Sequence, residues 1–484
     1  MENSAKNKVV SGLFWRFAER CGAQSVKLIV QIILARILAP EIFGVVALIT
    51  VFTDVLQVFV DSGFGNALIQ KKDADDLDFS TVFYFNFVMC IFLYMVMFLT
   101  APIIDTVVYG GNYTNLTAYI RVLSLILVVS GMKNVQQAYV SRTMQFKKFF
   151  YATLVGTIVS AVVGIGFAIS GFGAWAVIAQ YLTNASIDTI MLWFIVKWRP
   201  RRVFSFKRLK ELFSFGMKLL ASSLINVVYR KIRQIIIGCY YTPEQLAFYN
   251  EGDKIPNILV TNINTTIDSV LFPAMSKVQD KTENVKLYTR RAIQVGSYIM
   301  WPMMLGLSAI ATPLIRLVLT EKWLPCVFYF RIFCIIYGLQ PIQTANLNAI
   351  KAMGRSDIFL KLEIMKKVVG FGAMFLTIFI SVEVMACSYV VTTVLSALIN
   401  AYPNRKLLGY GYGEQLADIA PSFLLSMGMF VVCYTMTFMG FSDLITIILQ
   451  IVVGISVYIG GSLLFRLKNF YYVWNIVKSI IGKG

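Results

Sequence analysis

Histidine is absent from this 484-residue chain, and acidic residues are few, with 25 Asp and Glu in total. Histidine is the side chain that most often serves as general base, proton shuttle or metal ligand near neutral pH, so the commonest residue for those tasks is missing. The seven cysteines are scattered and form no Cys-x-x-Cys pair. We therefore predict no metal site, no disulfide framework and no cofactor.

Charge of either sign is scarce as well, since only 14% of the residues are charged, whereas 58% are hydrophobic and the mean hydropathy is +0.70. A soluble domain has about 45–50% apolar and about 25% charged residues. Apolar runs recur from end to end, each about as long as the ~20 residues that cross a bilayer core. This pattern predicts an all-α integral membrane protein without a large soluble domain.

The apolar runs and their polar connectors predict about fourteen transmembrane helices. Their predicted ranges are 12–38, 42–66, 79–101, 116–138, 149–170, 172–196, 212–239, 244–270, 293–316, 327–350, 358–380, 384–403, 419–439 and 443–465.

The net charge of +19 is distributed unevenly over the connectors. Alternate connectors, among them 197–211 and 277–291, collect nearly all of the lysines and arginines, and the others hold mainly acids beside Lys322. Because basic connectors stay on the cytoplasmic side, both termini are predicted to be cytoplasmic. Membrane topology thus accounts for most of the charge, and no nucleic-acid partner is predicted.

An internal repeat divides the chain. Gln31-Ile-Ile precedes Pro40-Glu41, and Gln234-Ile-Ile precedes Pro243-Glu244 at the same spacing, 203 residues later; further along, the offset drifts to about 210. Two parallel, pseudo-symmetric lobes of six helices are therefore expected, as in some transporters. The predicted domains are an N-terminal lobe at 1–196, a basic cytoplasmic linker at 197–211, a C-terminal lobe at 212–404, and two further helices with an interfacial tail at 405–484.

The first two helices of each predicted lobe carry polar stripes. Such a stripe cannot face lipid, because one charge at the bilayer centre costs roughly 2.5–3.5 kcal/mol on insertion scales. It must line a hydrated cavity or pair within the bundle. The cations outnumber the acids, which suits a phosphate or pyrophosphate cargo. The candidate cargo-binding residues are Arg16, Arg20, Lys27, Gln31, Arg230, Arg233, Gln234 and Lys254.

Acidic residues on the same stripes, Asp54, Asp61 and Asp268, are candidates for coupling transport to Na⁺ or H⁺, and the alternative is a basic cavity that responds to the membrane potential. Other basic residues close to predicted helix ends, including Arg121, Lys133 and Arg331, are interpreted as anchors that reach toward the membrane surface. The Asp73-x-Asp75-Asp76 run lies in a short connector and is interpreted as a solvated loop rather than a metal site.

Several segments resemble the polysaccharide (O-antigen type, lipopolysaccharide biosynthesis) flippases of the multidrug/oligosaccharidyl-lipid/polysaccharide superfamily. They are Gly12-Leu-Phe-Trp15, Leu34-Ala-Arg-Ile-Leu-Ala-Pro-Glu-Ile-Phe-Gly44, Asp61-Ser-Gly-Phe-Gly65 and Tyr240-Tyr-Thr-Pro-Glu-Gln-Leu-Ala-Phe-Tyr249. The resemblance implies alternating access that moves an undecaprenyl-pyrophosphate-linked oligosaccharide from the cytoplasmic to the outer leaflet of a bacterial inner membrane. We expect a monomer surrounded by membrane lipids, and a polysaccharide polymerase would be the partner protein to look for.

Two other functions compete with this expectation. A cation-coupled drug antiporter of the same superfamily would favour an acidic or apolar cavity, whereas the stripes here are rich in Arg and Lys. A membrane glycosyltransferase or polymerase usually needs a sizeable outer loop with catalytic residues, but the outer connectors are short and hold no acid–base constellation. The chain is therefore predicted not to be an enzyme.

Overall fold

The computed structural model describes residues 22, 24–61, 64–71, 73–111, 113–143 and 145–481. In these ranges the backbone forms helices joined by turns and by one longer irregular segment at 196–205, and none of the described residues belongs to a β-strand. The all-α prediction is confirmed. The predicted site residues Arg16 and Arg20 lie outside the described ranges.

Internal packing divides the chain into two compact units, Met1–Ala247 and Phe248–Gly484. The helices of the first unit are α1 (24–37), α2 (Pro40–Asp61), α3 (Phe64–Gln70), α4 (Asp76–Ile103, extended by a π-helical turn at Ile104–Val108), α5 (Leu116–Leu123), α6 (Leu125–Arg142), α7 (Lys147–Ile169), α8 (Ala174–Ile195) and α9 (Phe206–Tyr240).

The next helix, α10 (Pro243–Ser276), begins at the end of the first unit and continues into the second. The remaining helices of the second unit are α11 (Thr282–Ala309), α12 (Ala311–Leu319), α13 (Cys326–Gly338), α14 (Gln340–Ala352), α15 (Ser356–Thr377), α16 (Val382–Leu407), α17 (Tyr412–Thr435), α18 (Asp443–Leu464) and α19 (Lys468–Ile481).

Equivalent helices in the two units share details of packing. The pair α5–α6 and the pair α13–α14 are each interrupted once, at Ser124 and at Leu339. Arg121 Nε donates to the Phe98 carbonyl at 3.2 Å, and Arg331 Nε donates to the Ser308 carbonyl at 3.4 Å, in both cases 23 residues back along the chain. The two arginines also lie 210 residues apart, which is the repeat offset seen in the sequence.

The division into compact units falls 35 residues after the predicted start of the second lobe at residue 212. The reason is that α9, the first helix after the linker, packs against α2, α3 and α4 of the first unit. The compact units are defined by packing, whereas the predicted lobes are defined by the sequence repeat, so their boundaries need not coincide. The predicted domain ranges therefore stay a prediction.

Eight helices of the described chain are long and apolar enough to cross a membrane, or nine if the pair α11–α12, bent by 61°, is counted as one span. Helices α8, α9, α10 and α15 also coincide with predicted spans but are less apolar. The polar stripes predicted for α9 and α10 explain their lower hydropathy. The count of fourteen spans stays a prediction.

The linker is bonded to the first two turns of α4. The Arg201 guanidinium pairs with Asp76 at 2.7 Å, and the backbone N–H groups of Arg201 and Ser205 donate to Ser80 Oγ at 3.0 Å and to Thr81 Oγ1 at 3.2 Å. Trp198 is buried among aromatic side chains of α4 and α6. The interpretation of the neighbouring acids as a solvated loop was wrong in part, because Asp76 holds the linker.

The last helix is α19, whose Phe470 and Val473 pack against a cluster that contains Tyr298 of α11 and Tyr458 of α18. Its Tyr471 and Trp474 are exposed. One apolar side against the protein and exposed aromatic rings on the other are typical of a helix that lies in the membrane interface.

Candidate functional site

The predicted cargo-binding residues of the first unit lie on α1 and α9. Lys27 and Arg230 are exposed, Gln31 and Gln234 are half-buried, and Arg233 is buried with 6% exposure. An exposed guanidinium on a helix of spanning length needs either water or an anion beside it. Arg230 forms no ion pair with any residue in the described part of the chain.

The neighbouring residue, Lys231, is an anchor between two helices. Its Nζ lies 2.7 Å from Asp54 Oδ2, so that α9 and α2 are joined by an ion pair. Asp54 was a candidate for ion coupling, but in this conformation its charge is already balanced by a lysine.

A polar cavity of about 340 Å³ lies in the first unit, between α2, α3, α6 and α7. Asp61 lines it and accepts a hydrogen bond from Gln57 Nε2 at 3.1 Å. Lys133 also lines it, and its Nζ pairs with Asp188 Oδ2 of α8 at 2.8 Å. The prediction that Lys133 reaches toward the membrane surface was wrong, because its side chain is only 17% exposed and has a buried partner.

In the second unit, polar side chains of α10 pair one by one with the broken span α13–α14. The distances are 2.8 Å from Asn257 Nδ2 to Tyr337 Oη, 2.9 Å from Asn264 Nδ2 to Thr344 Oγ1, and 2.6 Å from Asn348 Nδ2 to Asp268 Oδ1. In each pair the residues are 80 positions apart, so the two segments run alongside one another without a change of register. We call these three pairs the polar ladder.

Lys254, the one predicted cargo-binding residue of the second unit, pairs with Glu251 Oε1 at 2.8 Å. Glu251 is buried with 7% exposure, and a buried carboxylate needs a partner of opposite charge. Lys254 therefore has a structural task in this conformation. Its role in cargo binding stays a prediction.

The candidate site residues from the sequence do not include Lys133, Asn134 and Asp188 in the first unit, or Tyr337, Thr344 and Asn348 in the second. The internal repeat of the sequence could have identified them. Asp61 corresponds to Asn264 at the offset of 203 residues, and Asn134 corresponds to Thr344 at the offset of 210. Following the polar positions of α2 and α10 to their partners would have pointed to α6 and α14.

An apolar cavity of about 420 Å³ lies in the second unit. Side chains of α11, α17 and α18 line it, together with Leu259 of α10, and among them Gln450 and Tyr458 are the polar ones. Its chemistry suits a hydrocarbon chain. The predicted helices outside the repeat, α17 and α18, thus line part of this apolar cavity.

The sequence from residue 33 to residue 328 matches the family described as "Polysaccharide biosynthesis protein". The chain belongs to this family. The resemblance to polysaccharide flippases of the superfamily is thereby confirmed.

Two curated relatives match most of the chain. The lipopolysaccharide biosynthesis protein WzxC of Escherichia coli K12 is 25% identical over 90% of this chain and 88% of its own length. The succinoglycan biosynthesis transport protein ExoT of Rhizobium meliloti is 22% identical over 85% of this chain and 81% of its own length.

Solved structures of membrane transporters share this fold. The inward closed conformation of the lipid II flippase MurJ superposes with a TM-score of 0.74 at 14% identity, covering 94% of this chain and 99% of MurJ. An inward-facing multidrug resistance transporter of the MATE family gives a TM-score of 0.61 at 14% identity, over 80% of this chain and 94% of the transporter. At such identities the likeness concerns the fold alone. The prediction of a membrane transporter fold is confirmed.

Proposed function

We propose that this multi-pass membrane protein is a flippase that carries a lipid-linked oligosaccharide, joined to its lipid through pyrophosphate, across the bacterial inner membrane by alternating access. The observation that carries the proposal is the match to WzxC, which covers 90% of this chain, in combination with a fold that superposes on MurJ. The cargo would enter from the cytoplasmic leaflet, and both termini would be cytoplasmic.

The residues of the first unit support an anionic cargo. Arg230 is exposed on a helix of spanning length and is not matched by an acid in the described chain, and Lys27 is exposed on α1. A guanidinium binds phosphate oxygens with two parallel hydrogen bonds and an ammonium binds them as a point charge. Arg16, Arg20 and Arg233 would add to the same charge.

The lipid part of the cargo requires an apolar surface of its own. Each buried methylene group contributes about 0.8 kcal/mol of transfer free energy, so a long polyprenyl chain leaves the bilayer only for an equally apolar environment. The cavity between α11, α17 and α18 offers such an environment. We propose that the chain transports its cargo without breaking a covalent bond, and that it does so as a monomer.

A leaflet assay tests the proposal. Purified protein is reconstituted in vesicles that contain a pyrophosphate-linked oligosaccharide lipid, and translocation is compared between the wild type and a Lys27→Ala/Arg230→Ala double variant. We expect the wild type to translocate and the double variant to lose most of the rate. The matched control is Arg405→Ala/Lys406→Ala, which removes two exposed cations at the end of α16 and should leave the rate unchanged.

The remaining outcomes separate the function from its site. Translocation that survives in the double variant would leave the flippase function and contradict the assignment of Lys27 and Arg230. Absence of translocation by the wild type, together with uptake of a cationic drug against a proton or sodium gradient, would favour the antiporter. Glycosyl transfer by the purified protein alone would favour the enzyme.

A further inference from the structure

Most cations of the linker and of the first two turns of α9 belong to one of two groups. Arg201 and Arg208 pair with acids at the start of α4, at distances of 2.7 Å to Asp76 and 3.6 Å to Asp75. The cations of the other group are exposed, and none of them pairs with an acid in the described part of the chain; they are Lys197, Arg202, Lys207 and Lys210. The first group holds the linker to the protein, whereas the second leaves four positive charges at the surface.

Three exposed apolar side chains lie among these four cations along the chain. Val203 and Phe204 are each 42% exposed, and Phe206 is 78% exposed. The rings of Phe204 and Phe206 meet edge to face, with their centroids 4.8 Å apart. Exposed apolar groups of this size gain transfer free energy when a hydrocarbon surface covers them. We call the four cations and the three apolar side chains the linker patch.

The linker patch lies where two helices leave the hydrocarbon region of the bilayer. Helix α8 ends at Ile195, and Phe194 in its last turn is 80% exposed, as is typical of a side chain that faces lipid. Helix α9 has 35 residues and is about 52 Å long, whereas the hydrocarbon core is about 30 Å thick. The charged first turns of α9 therefore extend beyond the core, and the linker patch lies at the level of the lipid headgroups.

We propose that the linker patch binds an anionic phospholipid, for which phosphatidylglycerol is the probe. Phe204 and Phe206 insert among the acyl chains, and the four cations surround the phosphate group. Clusters of lysine and arginine next to a membrane span, interleaved with aromatic side chains, have the chemistry that recognises such lipids. A zwitterionic headgroup carries its own cation and offers these side chains no net negative charge.

An acidic protein could also match four cations, but the position of the linker patch favours a lipid. The patch follows directly on the lipid-facing end of α8, and its apolar side chains lie at the boundary of the hydrocarbon core. The site does not depend on the cargo and therefore goes beyond the proposed function. A bound lipid would hold the linker from the side of the bilayer, while Asp76 holds it from the side of the protein.

The test uses a Phe206→Trp variant and lipids whose brominated acyl chains quench a nearby tryptophan. The full-length variant is reconstituted in vesicles of phosphatidylcholine with a minor fraction of phosphatidylglycerol, and the bromine atoms are placed on one lipid or on the other. The wild type, measured in parallel, gives the contribution of the seven native tryptophans. We expect phosphatidylglycerol to be preferred about 10- to 100-fold beside the introduced tryptophan, because each cation near an anionic lipid contributes about fivefold to binding.

Charge variants in the Phe206→Trp background locate the preference. Arg202→Gln/Lys207→Gln/Lys210→Gln should abolish it, while quenching by brominated phosphatidylcholine persists. Arg405→Gln/Lys406→Gln, which removes two exposed cations at the end of α16, is the matched control and should leave the preference unchanged. High salt should weaken the preference, because it screens exposed charges.

Four outcomes would overturn the proposal. They are equal quenching by the two lipids, a preference that the triple charge variant retains, quenching by neither lipid, and displacement of phosphatidylglycerol by added glycerol phosphate. Quenching by neither lipid would indicate that a protein or water covers the linker patch, and displacement would identify a soluble phosphate as the ligand. The assay contains no cargo, so its failure would leave the flippase proposal unchanged.

Discussion

The helix pairs α2–α6 and α10–α14 occur at equivalent places within their own units. The side chains that lie between the two helices differ from one pair to the other. Gly65 and Ala138 leave a cavity in the first unit, and Lys133 supplies its positive charge. Asp268 and Asn348 fill the corresponding positions of the second unit, and no fixed cation accompanies them. A duplicated scaffold can therefore keep its backbone and its polar positions while only one copy acquires a lysine beside its carboxylate.

The largest expected effect concerns the ion pair Lys133–Asp188. Lys133→Ala leaves Asp188, which is 8% exposed, as a buried charge without its partner, and we expect a loss of about 3–5 kcal/mol in the free energy of unfolding. Gln343→Ala, at the equivalent position of the second unit, removes only a neutral amide contact with Asn400 and should cost about 1 kcal/mol or less. Denaturant titration of the purified protein measures both. Equal losses would contradict the charge asymmetry between the units.

The second prediction concerns a helix crossing at which the two units place the small residue on opposite helices. A methyl group on Gly131 of α6 would lie 2.6 Å from Cys90 Sγ of α4, and one on Gly296 of α11 would lie 2.7 Å from Pro341 Cβ of α14. Gly131→Ala should therefore cost about 1–3 kcal/mol through overpacking.

The second unit also suggests a compensating substitution. Its glycine lies on α11 rather than on α14, so Cys90→Gly combined with Gly131→Ala would move the glycine of the first unit from α6 to α4 in the same way. We expect this double variant to recover most of the lost free energy of unfolding, as measured by denaturant titration. Gly166→Ala in α7, where a methyl group meets nothing within 4 Å, is the control and should be neutral or slightly stabilising. A double variant no more stable than Gly131→Ala alone would show that the crossings are not interchangeable.

The third prediction compares the N-termini of α4 and α11. Asp75 caps α4, since its carboxylate accepts from the Asp78 N–H at 2.9 Å, whereas Lys281 at the equivalent position of α11 provides no side-chain cap. Asp75→Ala should cost about 1 kcal/mol, and Lys281→Asp should add a comparable amount.

The pH dependence of the Asp75 cap can be checked as well. The hydrogen bond from the Asp78 backbone lowers the pKa of Asp75. A carboxyl group with a lowered pKa stabilises the folded state above its ordinary pKa, and this contribution is lost as the pH falls through the lowered value, below about pH 4. The unfolding temperature of Asp75→Ala should consequently decline less steeply in acid than that of the wild type. Parallel declines would contradict the role of the cap.

The smallest expected effect concerns Thr320, which follows α12 with a φ angle of +87°. Gly110, 210 residues earlier, adopts a similar φ angle of +71° without the strain of a Cβ atom. Thr320→Gly should stabilise the protein by roughly 0.5–1 kcal/mol, because relief of strain exceeds the added flexibility of the unfolded chain. A rise of the unfolding temperature by a degree or two would agree, and a fall would contradict the comparison.

Much of this fold could be predicted from the sequence, because membrane helices are set by hydropathy over long windows. The predicted range 116–138 matches the broken span Leu116–Arg142, and 149–170 matches Lys147–Ile169. The bend at Ile310 between α11 and α12 was not predicted, although Pro313 in the first turn of α12 indicates it, because a proline has no N–H to donate to the Ala309 carbonyl. The assignment of α9 to the first unit depends on packing, which the local hydropathy pattern of the sequence does not predict.

The candidate site was less accessible to sequence reasoning. The polar faces of α9 and α10 were predicted from their periodicity, but which charges are already balanced depends on distant partners. Asp54 is balanced by Lys231, and Lys254 is balanced by Glu251. A periodic stripe identifies the side chains that avoid lipid, and it does not distinguish a residue that awaits cargo from one that holds two helices together.

The fastening of the linker to α4 has a mechanical consequence. The nine residues from 197 to 205 could span roughly 30 Å if they were fully extended and free. Contacts of Trp198, Arg201 and Ser205 with the start of α4 remove this slack. The connection before α9 is therefore short and rigid rather than flexible. A displacement of the first turn of α9 must move the start of α4 with it.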